Sequence, residues 1–253
     1  MLKRLILLLV PMLSLLSASV VNYLEHSPAA NALSGITLLS DSVADYSLSP
    51  TIGHTGISTF YHRPFNMSEI AVVGFATAAA RNRFILAGGS TYLHHSDYSW
   101  HNPFLSAAYH YYGIALGISG HMVYDSVKDV DSEYDFSYDL AARYSHKDYG
   151  AELKFLRVGS SDEQLTISMK AALSEGVYTA TSYVYESGGK DYFRAGIQTD
   201  INQYLSVYGS WQNEPNRFGL GAKLGIEPWS LIYSLRTHPQ LDLSHAIALQ
   251  RNW

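Results

Sequence analysis

Ile114-Ala115-Leu116-Gly117-Ile118-Ser119-Gly120-His121-Met122-Val123-Tyr124 changes character at nearly every residue. Ile114, Leu116, Ile118, Gly120, Met122 and Tyr124 fall on one side of an extended chain, and Ala115, Gly117, Ser119 and His121 on the other. A period of two with one apolar face and one small or polar face describes a strand that is wet on one side only. Two further stretches repeat it. Leu165, Ile167, Met169, Ala171 and Leu173 oppose Thr166, Ser168, Lys170 and Ala172, while Phe218, Leu220, Ala222, Leu224 and Ile226 oppose Arg217, Gly219, Gly221, Lys223 and Gly225. The run 70–80 is apolar on both faces and gives no orientation.

Outward from this stretch, similar segments recur roughly every 14 residues over 55–253, bounded by Gly, Pro, Asn, Asp or Ser. They predict an all-β, antiparallel transmembrane barrel of about 14 strands, with twelve as the alternative count. The strands are expected to begin near Thr55, Ser68, Arg83, Asn102, Gly113, Glu133, Tyr149, Glu163, Gly176, Asp191, Gln203, Asn216, Pro228 and Leu241. Links after odd strands are the longer or more polar ones, as at 93–103, 125–132, 159–162, 186–190 and 212–215. Links after even strands are tight, as at Arg81-Asn82, Tyr112-Gly113 and Glu175-Gly176. Long loops at one end and short turns at the other are the habit of outer-membrane barrels. A secreted β-sandwich, the rival all-β fold, has no reason to show that parity. At the C-terminus Leu243, Ile247, Leu249 and the final Trp253 share one face, an ending typical of substrates of the outer-membrane barrel assembly machinery. His245 and Arg251 share that face, where an arginine near the interface can snorkel.

The N-terminus reads as an export signal. Lys3 and Arg4 precede an apolar run from Leu5 to Leu16 and the small residues Ser17-Ala18-Ser19, so residues 1–19 are expected to be a cleaved signal peptide. Removing Lys3 and Arg4 from the 17 basic residues leaves 15 against 22 acidic, an excess that argues against a nucleic-acid partner. With no cysteine, an N-terminal lipid anchor, disulfides and thiolate metal sites are excluded. A mean hydropathy of −0.04 fits apolar and polar residues that alternate. Residues 20–54 contain Pro28, Pro50, Gly35 and Gly53, and only 36–39 resembles a strand, so they are expected to cover or enter the lumen as a plug. A barrel of about 14 strands needs such filling, since side chains alone pack an interior of only about eight.

Several phrases resemble the PorV/PorQ family, which belongs with the FadL-type long-chain fatty-acid transporters. In the N-terminal stretch Gly35, Asp41, Ala44 and Ser49-Pro50 follow that family's opening motif, although Ser34 stands where a second glycine is common and Ser49 where asparagine is usual. Tyr61-His62-Arg63-Pro64-Phe65-Asn66-Met67-Ser68-Glu69 resembles the first extracellular hairpin. Near the end His238-Pro239-Gln240-Leu241 and the later His245 resemble the last hairpins, with Asp242 in place of a recurring glycine. The resemblance implies a 14-stranded barrel with residues 20 to about 54 as a hatch. It also implies transport or secretion of a hydrophobic or exported cargo, since the relatives range from hydrophobic-substrate transporters to components of type IX secretion. A hydrophobic ligand or a secretion partner protein is the implied associate, and a sealed scaffold barrel is the alternative.

Candidate chemistry is sparse. No Gly-x-Ser-x-Gly elbow accompanies the 11 histidines, so a Ser/His hydrolase is not favoured, and no cofactor is expected. His94-His95 point apart in a strand or loop and make a poor metal pair. Asp125, Asp129, Asp131 and Glu133 could converge on a hard cation but lack the glycine and terminal glutamate of a calcium loop, and read more simply as a solvated loop. The informative residues are charges on predicted inward faces: Asp135, Asp139, Arg143, Glu152, Lys154, Lys170, Arg194, Arg217, Lys223 and Arg236. Salt bridges closing the lumen explain them most simply, with Glu25, Asp41 and Asp45 of the plug meeting the bases. Tyr109, Tyr111, Tyr134, Tyr144, Trp211 and Trp229 near strand ends read as interfacial girdles.

Overall fold

A computed structural model describes residues 27–130, 132–160 and 162–253. The signal peptide, Glu25 and Asp131 lie outside these residues. The strands are β1 (Gly56–Arg63), β2 (Ala71–Arg81), β3 (Phe84–His94), β4 (Tyr98–Tyr111), β5 (Ile114–Val127), β6 (Glu133–Ser145), β7 (Tyr149–Val158), β8 (Gln164–Ser174), β9 (Val177–Glu186), β10 (Tyr192–Asn202), β11 (Leu205–Gln212), β12 (Arg217–Ile226), β13 (Trp229–Arg236) and β14 (Ser244–Asn252). Each pairs antiparallel with its sequence neighbour, and β1 pairs with β14 from Gly56↔Asn252 to Arg63↔His245, which closes a 14-stranded barrel. Closure leaves no edge, the condition for a sheet to survive in lipid.

The alternation sets the two faces. Leu116, Ile118, Ile167, Leu220 and Leu224 are all exposed on the outer surface, with Phe75, Leu86, Leu105 and Leu231 extending the apolar belt around the barrel. Ala115, Ser119, His121, Thr166 and Ser168 face inward and are buried. Tyr109, Tyr111, Tyr144 and Trp229 are exposed toward the end of the short turns, and Tyr134 and Trp211 toward the other. Arg251 lies over the Trp229 ring at 5.7 Å and His245 Nδ1 is 2.8 Å from the Tyr233 hydroxyl, so both polar residues of the outer β14 face have aromatic neighbours.

The ends are asymmetric. Links after even strands are the two-residue turns 82–83, 112–113, 175–176, 203–204 and 227–228 and the three-residue 146–148, at the same end as the start of β1 and the end of β14. Asn82 and Tyr112 take positive φ of 58° and 44°, as such tight reversals require. Links after odd strands run to seven residues, at 64–70 and 237–243.

The expected loop 93–103 is corrected to 95–97. β3 and β4 pair as far as His94↔Ser99 because Leu93 and Trp100 point inward and are buried, and Pro103 sits within β4. Likewise β5 continues through Asp125 to Val127, held where the Tyr98 hydroxyl bonds the Asp125 carboxylate. Polar residues in these strands misled the reading because the strands rise to a wet rim where alternation no longer separates lipid from lumen. Among the described residues no three His, Cys, Asp or Glu side chains converge as a metal site.

Residues 27–54 lie within the barrel. They form α1 (Pro28–Ala32), capped by the Ser27 hydroxyl, which accepts from Ala30 N–H at 3.2 Å, and two 3-10 turns, Thr37–Leu39 and Val43–Ser47. Nearly every residue is buried. α1 packs against β11 to β14, Thr37–Leu39 against β7 to β10, and Val43–Ser47 against β1 to β4, so the segment touches wall around the circumference.

Candidate functional site in the barrel lumen

Inward glycines make the space. A Cβ on Gly219 would fall 2.4 Å from Ala32 O, and one on Gly117 2.8 Å from Pro50 Cβ, so at both places the segment lies directly on strand backbone. Ser34, at the position where glycine is common, has φ of 53°, and its hydroxyl is 2.8 Å from that of Ser210. Asn31 Nδ2 donates to Ser234 Oγ at 3.1 Å, and Val43 N–H donates to Gln250 Oε1 at 2.9 Å.

The strongest attachment is Glu152 on β7. Thr37 Oγ1 donates to its Oε2 at 2.6 Å, and Ser49 Oγ and Thr51 Oγ1 donate to its Oε1 at 2.7 and 2.9 Å. Arg143 Nη2 and Nε reach Oε1 at 2.7 and 3.0 Å, and Lys154 Nζ is 3.9 Å from Oε2. Lys154 also donates to Thr37 Oγ1 at 3.1 Å and Leu48 O at 3.2 Å. A buried carboxylate is costly unless both charge and lone pairs are met, and here two cations and three hydroxyls meet them. Two separate parts of the segment, Thr37 and 49–51, thereby converge on one atom group of the wall.

The acids of the segment pair less often with lumen bases than expected. Asp41 does meet Lys223. Asp45 instead takes the Ser27 hydroxyl and is wholly buried, which pushes its carboxyl up to about 6. Burial likewise lowers His54 below its ordinary value. Arg236 is buried and Nη2 donates to Gln212 Oε1 at 3.1 Å; Arg194 Nη2 donates to the Tyr192 hydroxyl at 2.9 Å. Lys170 is half-buried with Nζ 4.7 Å from the Tyr178 ring, and Arg217 is half-buried at the start of β12. Asp139 is buried, but Asp135, four residues earlier on the same face of β6, is exposed near the long-loop rim and is corrected from lumen to rim. Of the motif residues, His238 packs edge-on to Phe65 at 5.1 Å, bringing the first and last long loops together, where Asn66 Nδ2 donates to Asp242 at 3.3 Å. Gly35 has φ of 82°, Ala44 and Pro50 are buried with Ser49, and Leu241 is exposed beside Pro239.

The β4–β5 seam was not foreseen. His101↔Tyr124 and Phe104↔His121 share one register, with Pro103 in the strand between them. Proline lacks the N–H that a ladder needs. A cavity of about 420 Å³ lies there, lined by the outward Leu105 and Gly120, by Met122 and Phe136, and by the inward Phe104 and His121. Behind it His121 Nε2 is 3.0 Å from Asp139 Oδ2, the other oxygen of which accepts Arg157 N–H at 2.7 Å, and Phe104 stacks on the His121 ring. A proline inside a strand was the available signal, and it reads as a strand end because it removes a ladder N–H.

These features define a closed antiparallel barrel with an occupied lumen, an apolar belt and an apolar cavity beside the proline of β4. No family model and no curated protein matches the sequence. Among solved structures the chain resembles the CymD monoaromatic hydrocarbon channel (TM-score 0.70, 11% identity, 92% of this chain and 98% of that one). It also resembles the toluene transporter TodX of P. putida (TM-score 0.64, 7% identity, 90% and 98%). The likeness is one of fold, a closed antiparallel barrel of fourteen strands.

Proposed function

We propose that the protein is a non-enzymatic channel of the bacterial outer membrane for small hydrophobic molecules, with residues 27–54 gating the lumen. The carrying observation is the apolar cavity of about 420 Å³ beside Pro103 of β4, lined by the outward Leu105 and Gly120 and by their neighbours Phe104 and His121. A hydrophobic solute gains by leaving water for such a lining, and parting of the wall at this place would offer a route that avoids the polar lumen. The names of the two structural neighbours agree with this substrate class. Liposomes carrying the protein should take up toluene faster than protein-free liposomes. Bulk introduced by Gly120→Trp, where an added Cβ meets nothing within 4 Å, should slow that uptake while leaving heat modifiability intact. Deleting residues 24–50 should leave an inserted barrel with raised single-channel conductance. Unchanged uptake in the tryptophan variant would refute the wall route, and unchanged conductance would refute the gate. The narrower reading implied by the motif resemblance, a PorV/PorQ-type carrier attached to type IX secretion, rests on Gly35, Ser49-Pro50 and His238-Pro239 and calls for a co-purifying secretion partner. A sealed scaffold barrel would show no uptake at all.

A further inference from the structure

The outer rim at the short-turn end is uneven in charge. Acidic residues stand in or beside most of its turns, at Asp148, Glu175, Asp200 and Glu227. The reversal from β2 to β3 instead reads Arg81-Asn82-Arg83, and the neighbouring turn 112–113 carries no acid. Among the described residues no carboxylate comes within 4.0 Å of either guanidinium. Arg83 is nevertheless held in place. Its guanidinium carbon lies 4.4 Å from the centre of the Tyr111 ring, and Nη1 donates to the Tyr109 hydroxyl at 3.4 Å. Tyr109 packs on Phe84 with ring centres 5.0 Å apart, and Phe84 pairs across the turn with Arg81. All five side chains are exposed. Two residues further along β4, about 7 Å toward the middle of the belt, Ala107 is paired with Leu86 on one side and Ile118 on the other. A small residue between two large ones leaves a shallow trough in the apolar surface below the arginine.

From this juxtaposition we propose that the outer face of β3 to β5 at the short-turn end binds one phospholipid with a net negative headgroup, its phosphate at Arg83 and the Tyr109 hydroxyl and an acyl chain in the trough over Ala107. A guanidinium stays charged and presents a planar fork that matches phosphate oxygens, and the Tyr111 ring fixes where the fork lies. The Tyr109 hydroxyl accepts from Arg83 and keeps its own proton to donate to the same phosphate. Arg81 adds a second positive charge to the rim. An aromatic girdle by itself anchors a barrel without choosing among headgroups. A held cation with no acid of its own does choose, and at the edge of the hydrocarbon its attraction is weakened less than in water. Short turns are periplasmic in outer-membrane barrels, which makes the occupant a lipid of the inner leaflet. The inference goes beyond the channel reading and stands without it, because lipid retention is measured without transport.

The test is native mass spectrometry of the full mature protein taken from micelles that hold equal amounts of phosphatidylglycerol and phosphatidylethanolamine. Phosphatidylglycerol should be retained in preference, and Arg83→Gln should lower its retention about fivefold. Tyr111→Leu keeps the cation but removes the ring that holds it, and should lower retention by less. Arg251, which lies over Trp229 next to the acidic turn at Glu227, is the control, and Arg251→Gln should change nothing. Heat modifiability confirms that each variant is folded. Equal retention of the two lipids, or retention indifferent to Arg83→Gln, would overturn the site. An equal loss in Arg251→Gln would overturn it as well, since the attraction would then belong to the whole rim. Displacement of phosphatidylglycerol by an equal concentration of inorganic phosphate would make the ligand a free anion and overturn the lipid assignment.

Discussion

The two parts of the inner wall solve the same packing problem with different chemistry. From β1 to β4 the lumen face presents Phe60, Val72, Ala76, Ala87, Leu93, Trp100 and Phe104, and it receives Val43, Ala44 and Tyr46. From β6 to β14 it presents Asp139, Glu152, Lys154, Ser168, Arg194, Arg236 and Gln250, and it receives Thr37, Asn31, Ser34 and the backbone of α1. Outside, both parts show the same apolar belt, because lipid is the same all round. The comparison teaches that alternation records which side a residue faces, whereas its chemistry inside records what the N-terminal segment brings to meet it.

The sharpest way to break the comparison is to remove its centre on the polar side. Glu152→Ala should cost about 3–5 kcal/mol in urea unfolding from vesicles, because it leaves Arg143 and Lys154 buried without their anion. If Leu93→Ala on the apolar side cost distinctly more, the charged network would be secondary to packing. Next comes the claim that the outside is uniform. Arginine at Leu220 on β12 and at Leu116 on β5 should each cost about 2–4 kcal/mol, and unequal costs would mean that the belt differs between the two parts. A smaller effect is expected from Gly219→Ala, about 1–3 kcal/mol, since the new methyl meets Ala32 O. Protease should then cut within 27–54 more readily, and resistance equal to wild type would show that the segment has room to shift. The smallest is pH dependence. Asp45, raised from 3.8 to about 6 by burial, binds a proton more readily when the segment is seated than when it is released. Its contribution is present below about pH 4 and lost as pH rises through about 6, so hydrogen exchange across 43–48 should be slower at pH 5 than at pH 7.5. In Asp45→Asn that difference should shrink; an unchanged profile would assign it to another group.

Much of the barrel was legible because its signal is local. Ile114 to Tyr124 and Arg217 to Ile226 each declare two faces without reference to any partner, and tight turns such as Tyr112-Gly113 mark their ends. Strand limits failed at 93–103 and 125–132, where the rim is wet on both sides and the two-faced signal disappears. The list of inward charges was largely legible for the same local reason, with Asp135 lost at the rim. Their partners were not, because Glu152 meets Thr37, Ser49 and Thr51 across roughly a hundred residues of sequence. Nothing in the spacing of Asp45 reveals that Ser27, rather than a lysine or arginine, answers it.

Strand β1 finds one of its two neighbours in the last residues of the chain, from Ser244 to Asn252. The ring cannot be completed until β14 meets β1, so its closing pair joins the two ends of the barrel sequence, next to the 27–54 stretch that leads into β1. Pairing between such distant segments has a high contact order, which makes closure of the ring slow and limited by topology.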